Sequence, residues 1–376
     1  MERYIKTAIE ADLREKMVFL GGPRQVGKTT LALSLLENGS ERHPAYMNWD
    51  DPAARKALLK GALPGDEPLI VLDEIHKYKG WRNLVKGFYD LNKSRRQFLV
   101  TGSARLDHYR RGGDSLQGRY HYHRLHPLSL YEISASPSSS DLDQLLRFGG
   151  FPEPFLKADM RRWKRWQRER QSRVIQEDLV NLEKVREVSQ VDLLVSLLPE
   201  RVGSPLSINN LRQELNVAFE TVDHWITILE NLYVCFRIAP FGLPRLRAAK
   251  KEKKVYMWDW SVCENPGSRL ENLVASNLLK YCHRMEDREG DRMELCFIRD
   301  AEKREIDFVV VRNKKPVFAV ECKTGDGNLG RNIAYFAERT GIPYFYQVHV
   351  GKKDLEYPRC RARVLPLTTL AGLLKV

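Results

Sequence analysis

Eight consecutive residues constrain this 376-residue chain more than any other feature. Gly22-Pro23-Arg24-Gln25-Val26-Gly27-Lys28-Thr29 fits the pattern G-x-x-x-x-G-K-[ST] and follows the apolar stretch Met17–Leu20. Glycines let such a loop curl so that successive backbone N–H groups point inward at phosphate oxygens, a lysine supplies a point charge to the β- and γ-phosphates, and a hydroxyl reaches Mg²⁺. Gly22 through Thr30 are therefore the expected ATP-binding residues, with Lys28 on phosphate and Thr29 on the metal. The helix predicted after the loop, from Thr29 through Leu36, adds its positive end to the anion site.

A second motif lies at a suitable distance. Leu69-Ile70-Val71-Leu72 has the composition of a buried parallel strand and ends in Asp73 and Glu74, at the strand edge where α/β sheets bind ligands. Asp73 is expected to hold Mg²⁺ directly or through water, and Glu74 to polarise the attacking water. Further strands are predicted over Ala45–Trp49, Gln97–Thr101 and His121–Leu125. Alternation of strands and helices up to residue 135 reads as an open parallel α/β sheet.

Net charge is +13, which points to an anionic macromolecular partner, nucleic acid and DNA above all. The six cysteines contain no C-x-x-C pair, so neither a zinc site nor a disulfide framework is indicated, and a cytoplasmic protein with reduced thiols is expected. No apolar run approaches the roughly twenty residues needed to cross a bilayer, so no membrane partner is expected.

Further along, Phe98-Leu99-Val100-Thr101-Gly102-Ser103 places small hydroxyl residues at a strand end, and Arg119 follows Gly118 in a turn. Together with GPRQVGKTT, YMNWDDP (46–52), LIVLDEIHK (69–77), LVTGSAR (99–105), LQGRYHYHRLHPLSLYE (116–132) and FGGFPE (148–153), these segments resemble AAA-type ATPases of bacteria and archaea that carry a winged helix and a C-terminal nuclease-like domain. The resemblance covers nearly the whole chain. It implies that Ser103 or Thr101 senses the γ-phosphate and that Arg119 is an arginine finger. A finger that completes a neighbour's site makes the protein a homo-oligomer.

Ser134-Ala135-Ser136-Pro137-Ser138-Ser139-Ser140 marks the end of the ATPase core. A helix crowded with cations and two tryptophans follows at 161–173. Residues 191–239 read as a helix-turn-helix with a wing. Leu193, Leu194, Leu197 and Leu198 pack the first helix, Ser207 caps a second with Leu211 and Leu215, Asn216 turns, and Val222, Trp225, Ile226 and Leu229 stripe the third. That third helix presents Glu220, Asp223 and Glu230 outward, a poor surface for a polyanion, so the basic stretch 245–254 is the better phosphate contact.

In the last third, Asp307 interrupts an apolar strand, and Glu321 and Lys323 interrupt the next. Period two puts Glu321 and Lys323 on one face, and a three-residue loop Asn313-Lys314-Lys315 sets Arg312 opposite Pro316 and Asp307 opposite Glu321. Charges mid-strand are costly to bury unless compensated, as a divalent metal would do. The order D…E-x-K resembles the PD-(D/E)XK nuclease motif, which implies that Asp307 and Glu321 hold Mg²⁺ or Mn²⁺ and that Lys323 serves the attacking water. Glu271 is an additional candidate ligand, although Ser268-x-x-Glu271 also fits a capping box.

The expected organisation is a P-loop ATPase core (1–135), a helical linker (136–188), a winged helix (189–254) and a restriction-endonuclease-like α/β domain (255–376). Two functions fit. One is an ATPase acting on nucleic acid with a metal-dependent nuclease centre, its catalytic residues being Glu74, Arg119, Ser103, Asp307, Glu321 and Lys323. The other is an ATP-driven switch or scaffold whose nuclease-like region only recognises DNA or a protein partner.

Overall fold

A computed structural model describes residues 2–102, 116–174, 179, 187–242 and 252–375. The chain forms two compact units, Met1–His126 and Pro127–Val376.

The first unit is an α/β layer structure around a five-stranded sheet. Its strands are β1 (Met17–Gly21), β2 (Tyr46–Asn48), β3 (Leu69–Asp73), β4 (Gln97–Thr101) and β5 (Tyr120–Arg124), ordered β2-β3-β4-β1-β5. Every neighbouring pair is parallel. A parallel sheet is covered on both faces, which is why β1 and β3 read as unbroken apolar runs and are buried at every position. Helix α1 (Lys6–Asp12) precedes β1, and α2 (Lys28–Leu33), α3 (Pro52–Leu59) and α4 (Trp81–Asn92) connect β1 to β2, β2 to β3 and β3 to β4. The Asp51 carboxylate caps α3 by accepting from Ala53 and Ala54 N–H, with Pro52 in the first turn. Registers Leu20↔Thr101 and Asp73↔Thr101 bring the C-terminal ends of β1, β3 and β4 side by side.

The second unit begins with helices α5 (Leu130–Ile133), α6 (Ser139–Phe148), α7 (Pro152–Lys157), α8 (Met160–Arg173), α9 (Val188–Leu197), α10 (Ile208–Leu215) and α11 (Phe219–Asn231). As expected, Ser207 caps α10, and Asn216 ends it in the left-handed region at φ 52°. In α9 the helical period favours Val191, Leu194 and Leu198, which are fully buried, and turns Leu193 outward at 46% exposure; the expected packing of Leu193 is thereby corrected.

An eight-stranded mixed sheet completes the unit: β6 (Cys235–Pro240), β7 (Lys254–Met257), β8 (Met293–Arg299), β9 (Glu305–Arg312), β10 (Lys315–Cys322), β11 (Phe345–His349), β12 (Leu355–Tyr357) and β13 (Ala362–Pro366). The long α12 (Pro266–Glu289) precedes β8, α13 (Arg331–Arg339) joins β10 to the parallel β11, and α14 (Leu367–Leu374) closes the chain. β6 pairs with β8 as well as with β7, so the boundary expected at 254/255 falls inside β7 and within one continuous sheet.

The β9–β10 hairpin differs from expectation in an instructive way. Asn313 and Lys314, at φ 50° and 69°, make a two-residue turn that pairs Arg312 with Lys315 instead of Pro316. An irregularity between Pro316 and Phe318 then shifts the register by one residue, giving Ala319↔Val309 and Val320↔Phe308. Continued by one residue, this register sets Asp307 opposite Glu321, because the shorter turn and the irregularity offset each other. Among the described residues no helix is long and apolar enough to cross a membrane, and all six cysteines are free thiols.

Candidate functional site

The loop between β1 and α2 is built on close backbone approach. A Cβ at Gly22, whose φ is +148°, would lie 2.4 Å from the Leu125 carbonyl oxygen. Gly27, at φ 97°, turns the chain into α2. Pro23, Arg24, Gln25 and Val26 form the loop, Gln25 also in the left-handed region, and Thr30 lies in the first turn of α2. Lys28 is buried and its Nζ donates to the carbonyls of Gly22 (3.0 Å) and Pro23 (2.7 Å). Arg3 braces the loop from outside, donating to Val26 O at 2.7 Å.

Asp73, 2% exposed, is the focus of three hydroxyls. Thr29 Oγ1 donates to Asp73 Oδ2 at 2.8 Å, Tyr46 OH to the same oxygen at 2.7 Å, and Thr101 Oγ1 to Oδ1. Burial, and then the hydrogen bond to Asp73, push the Tyr46 phenol above its ordinary value, so it stays a donor. A carboxylate and a threonine hydroxyl in contact at the mouth of a phosphate loop suit a hard divalent cation.

Glu74 follows at φ 56°, a left-handed backbone unusual for a glutamate. Its N–H donates to Thr101 O at 3.1 Å, which holds the residue over the sheet edge. The Glu74 carboxylate lies 3.4 Å from Lys77 Nζ and 3.8 Å from His76 Nε2. Burial lowers the His76 pKa against the pull of Glu74. Ser103 lies outside the described residues; Thr101 supplies its hydroxyl to Asp73.

Arg119 is elsewhere. The register Met17↔Tyr120 through Gly21↔Arg124 puts it at the opposite edge of the sheet from the loop, about 16 Å away at roughly 3.3 Å per strand residue. There it pairs with Asp90, Nε to Oδ1 2.8 Å and Nη2 to Oδ2 3.2 Å. It cannot reach a phosphate on its own loop.

In the second unit, β7, β9, β10 and α12 bring a cluster of charges together. Lys323 Nζ donates to Glu321 Oε1 at 2.7 Å, and Cys322 N–H donates to Asp307 Oδ2 at 2.7 Å. Glu321 is 4% exposed and its Oε2 is buried without a hydrogen-bond partner. Glu271 does not cap its helix: the Asn265 side chain does, accepting from Gly267 and Ser268 N–H, because α12 starts at Pro266. Freed from that role, Glu271 Oε1 accepts from Tyr256 OH at 2.8 Å. Burial, then Glu271 and Glu321, hold Asp307 well above the usual carboxylate range, and burial raises Glu321 despite Lys323.

Lys254 is a correction. Read as part of a basic stretch for phosphate contact, it is instead fully buried, with its Nζ 2.5 Å from Glu305, 3.4 Å from Glu271 and 3.9 Å from Asp307. Burial pulls its pKa down, but Glu271, Asp307 and Glu305 outweigh this and hold the ammonium charged. Residues 245–251 of that stretch lie outside the described ones.

Two other charged surfaces resolve themselves locally. On α11, Asp223 and Glu230 pair with Arg237 of β6 at 2.9 and 2.7 Å, which neutralises much of the acid expected to repel a polyanion. On α8, Trp166 is buried against Phe151, Trp163 Nε1 donates to Ser261 Oγ at 3.0 Å, and Arg170 lies over the Phe151 ring at 4.4 Å. The tryptophans are packing residues, and Arg161, Arg162, Lys164, Arg165, Arg168 and Arg173 remain exposed.

Sequence reasoning missed Arg3, Tyr46, Tyr256 and the role of Lys254. Tyr46 and Tyr256 are single aromatic residues in short strands, and their function lies in a hydroxyl that only tertiary contact reveals.

Comparison with known proteins agrees with the loop geometry. Residues 14–134 match the family model described as an AAA domain, residues 139–265 match a domain of unknown function (DUF8612), and residues 266–370 match another (DUF4143). The first unit thus carries an AAA-type P-loop domain. Uncharacterized protein MJ1544 of Methanocaldococcus jannaschii is 23% identical over 350 residues, 85% of this chain and 77% of that protein. Uncharacterized protein Rv2008c of Mycobacterium tuberculosis is 25% identical over 248 residues, 65% of this chain and 55% of that protein, so the chain spans little more than half of that relative. Among solved structures, the Aeropyrum pernix ORC1 protein in complex with DNA aligns with 73% of this chain and 93% of its own at 15% identity and a TM-score of 0.35, a likeness too partial to bear on function.

Proposed function

We propose that this chain is an ATP-hydrolysing protein of AAA type that acts on nucleic acid, DNA first, in the cytoplasm. The observation that carries the reading is the contact of Thr29 with Asp73 at 2.8 Å beside the loop that presents Lys28. The donor set there fits Mg²⁺, with Thr29 and Asp73 as its residues; the ion's chemistry is to neutralise charge on the phosphates. Lys28 exchanges the Gly22 and Pro23 carbonyls for phosphate oxygens. Glu74, fixed by its strained backbone and by the Thr101 carbonyl, orients the attacking water.

Binding to nucleic acid rests on the net charge of +13 and on the six exposed cations of α8. Helices α9 to α11 followed by β6 support a winged helix, now with Arg237 relieving the acid on α11. The Asp307, Glu321 and Lys323 cluster supports a PD-(D/E)XK-like centre for cleavage. A divalent ion fits the cluster on one observation, the buried and unpartnered Glu321 Oε2. Asp307 and Glu321 would hold that ion, whose chemistry is to polarise a phosphodiester, while Lys323 stabilises charge on the same face.

The switch reading is favoured by one observation, the Lys254 ammonium among these acids. Supercoiled, linear and single-stranded DNA, each incubated with Mg²⁺ or Mn²⁺ and with or without ATP, separates the two. Cleavage abolished by Asp307→Ala with ATP hydrolysis intact supports the nuclease. Binding without cleavage in every condition supports the switch.

A further inference from the structure

We propose that Lys254 is a resident cation that takes the place of one metal ion in the acidic cluster, so that the cluster holds a single divalent cation between Asp307 and Glu321 and Glu271 is not a ligand. The inference rests on the metal reading above and deepens it.

Strand alternation in β7 aims Lys254 and Tyr256 at the same face. Both close on Glu271 Oε1, at 3.4 and 2.8 Å. The Glu271 carboxylate lies close over Gly203: a Cβ there would come 2.7 Å from Oε2 and 2.8 Å from Oε1. Glu271 therefore has its Oε1 committed to the ammonium and the phenol. Glu305 is committed as well, 2.5 Å from Lys254 and 3.6 Å from Arg299. The Phe297 ring, 5.5 Å from Lys254 Nζ, helps enclose the ammonium.

What is left is on the other side. Asp307 Oδ2 is taken by the Cys322 N–H, while Oδ1 stands 3.9 Å from Lys254, beyond a hydrogen bond. Glu321 Oε1 is taken by Lys323, while Oε2 is buried and unpartnered. One oxygen on each of two carboxylates remains for a cation, and hard divalent ions complete such a site with water. Among the described residues no group of three or more His, Cys, Asp or Glu is arranged to hold a metal.

Charge supports one ion over two. With Asp307 and Glu321 ionised, as metal ligation requires, the four carboxylates Glu271, Glu305, Asp307 and Glu321 face Lys254, Lys323 and Arg299, leaving one excess negative charge. One divalent cation together with one phosphodiester charge brings the cluster to neutrality, whereas a second ion adds an uncompensated pair of charges in a buried site.

The test is Mn²⁺ binding to the full chain without nucleotide, by electron paramagnetic resonance of free Mn²⁺, with the Asp307→Asn protein as the control that lacks the site. The parent should bind one ion more than Asp307→Asn, and Lys254→Met should bind two more. Glu271→Gln, measured against the parent, should change Mn²⁺ affinity by less than about threefold, where loss of a true supporting group costs about 10–100-fold. That second arm decides even if Lys254→Met fails to fold. A parent that binds two ions, a folded Lys254→Met protein that gains none, or a Glu271→Gln protein weakened more than about tenfold overturns the inference while leaving a metal site in place. If parent, Lys254→Met and Glu271→Gln all bind the same number of ions as Asp307→Asn, the metal reading itself is overturned.

Discussion

Arg119 offers a quantitative test of assembly. It lies one residue before the Met17↔Tyr120 pair, five strand positions from Arg124 at the end that meets the phosphate loop, about 16 Å at roughly 3.3 Å per residue. Its guanidinium is paired with Asp90. Any contribution to hydrolysis must therefore be made to a neighbouring subunit's site. If subunits associate head to tail, each interface joins one subunit's Lys28 site to the next subunit's Arg119. Arg119→Ala and Lys28→Ala proteins should each be nearly inactive alone, but in an equal mixture about a quarter of interfaces combine an intact site with an intact arginine. Turnover per subunit, followed by phosphate release, should recover to about a quarter of the parent value, from singles reduced by about 10³-fold or more. Parent activity per subunit should also rise with protein concentration. Mixtures that co-sediment as one assembly yet show no recovery would refute the reasoning and leave Arg119 as a surface partner of Asp90.

Two further outcomes follow from the second unit. Lys280 and Glu132 are buried together, 1% and 2% exposed, with Lys280 Nζ also donating to Ser129 Oγ at 2.7 Å; Lys280→Met should cost about 3–5 kcal/mol by removing the cation paired with the buried carboxylate, and lower that unit's melting midpoint by roughly 10 °C. Adding Glu132→Gln should restore at least about 1 kcal/mol in denaturant titrations, and no restoration would mean the two do not act as a pair. Replacing Arg165 and Arg168 on α8 by glutamine should weaken DNA binding equally across sequences and reduce the salt-dependence slope by about one per lost phosphate contact, with an unchanged slope leaving α8 a solvated face.

The parallel sheet was legible because burial on both faces writes itself as unbroken apolar runs: Leu69–Asp73 and Gln97–Thr101 lie at the expected positions. The phosphate loop was legible because its glycines have a backbone reason to be there. The hairpin at Asn313 was half legible. A turn length and a later irregularity act in opposite directions on register, and neither shows in side-chain alternation. Lys254 was misread because a lysine ending a basic run looks solvated until the strand it opens is seen to run under Glu271 and Glu305. Tyr46 carries no signal at all, since its hydroxyl matters only once β2 lies beside β3.

The central claim is that the β1 loop and the β3 carboxylates form one hydrolytic site with separate tasks. Titration of a fluorescent ATP analogue alongside steady-state phosphate release, on the parent, Lys28→Ala and Glu74→Gln proteins, tests it most directly. The lysine touches phosphate in the ground state, so Lys28→Ala should lose binding. The glutamate acts on water, so Glu74→Gln should bind within about twofold of the parent while turnover falls by about 10²-fold or more. Parent-like turnover in Glu74→Gln, or parent-like binding in Lys28→Ala, would contradict the account.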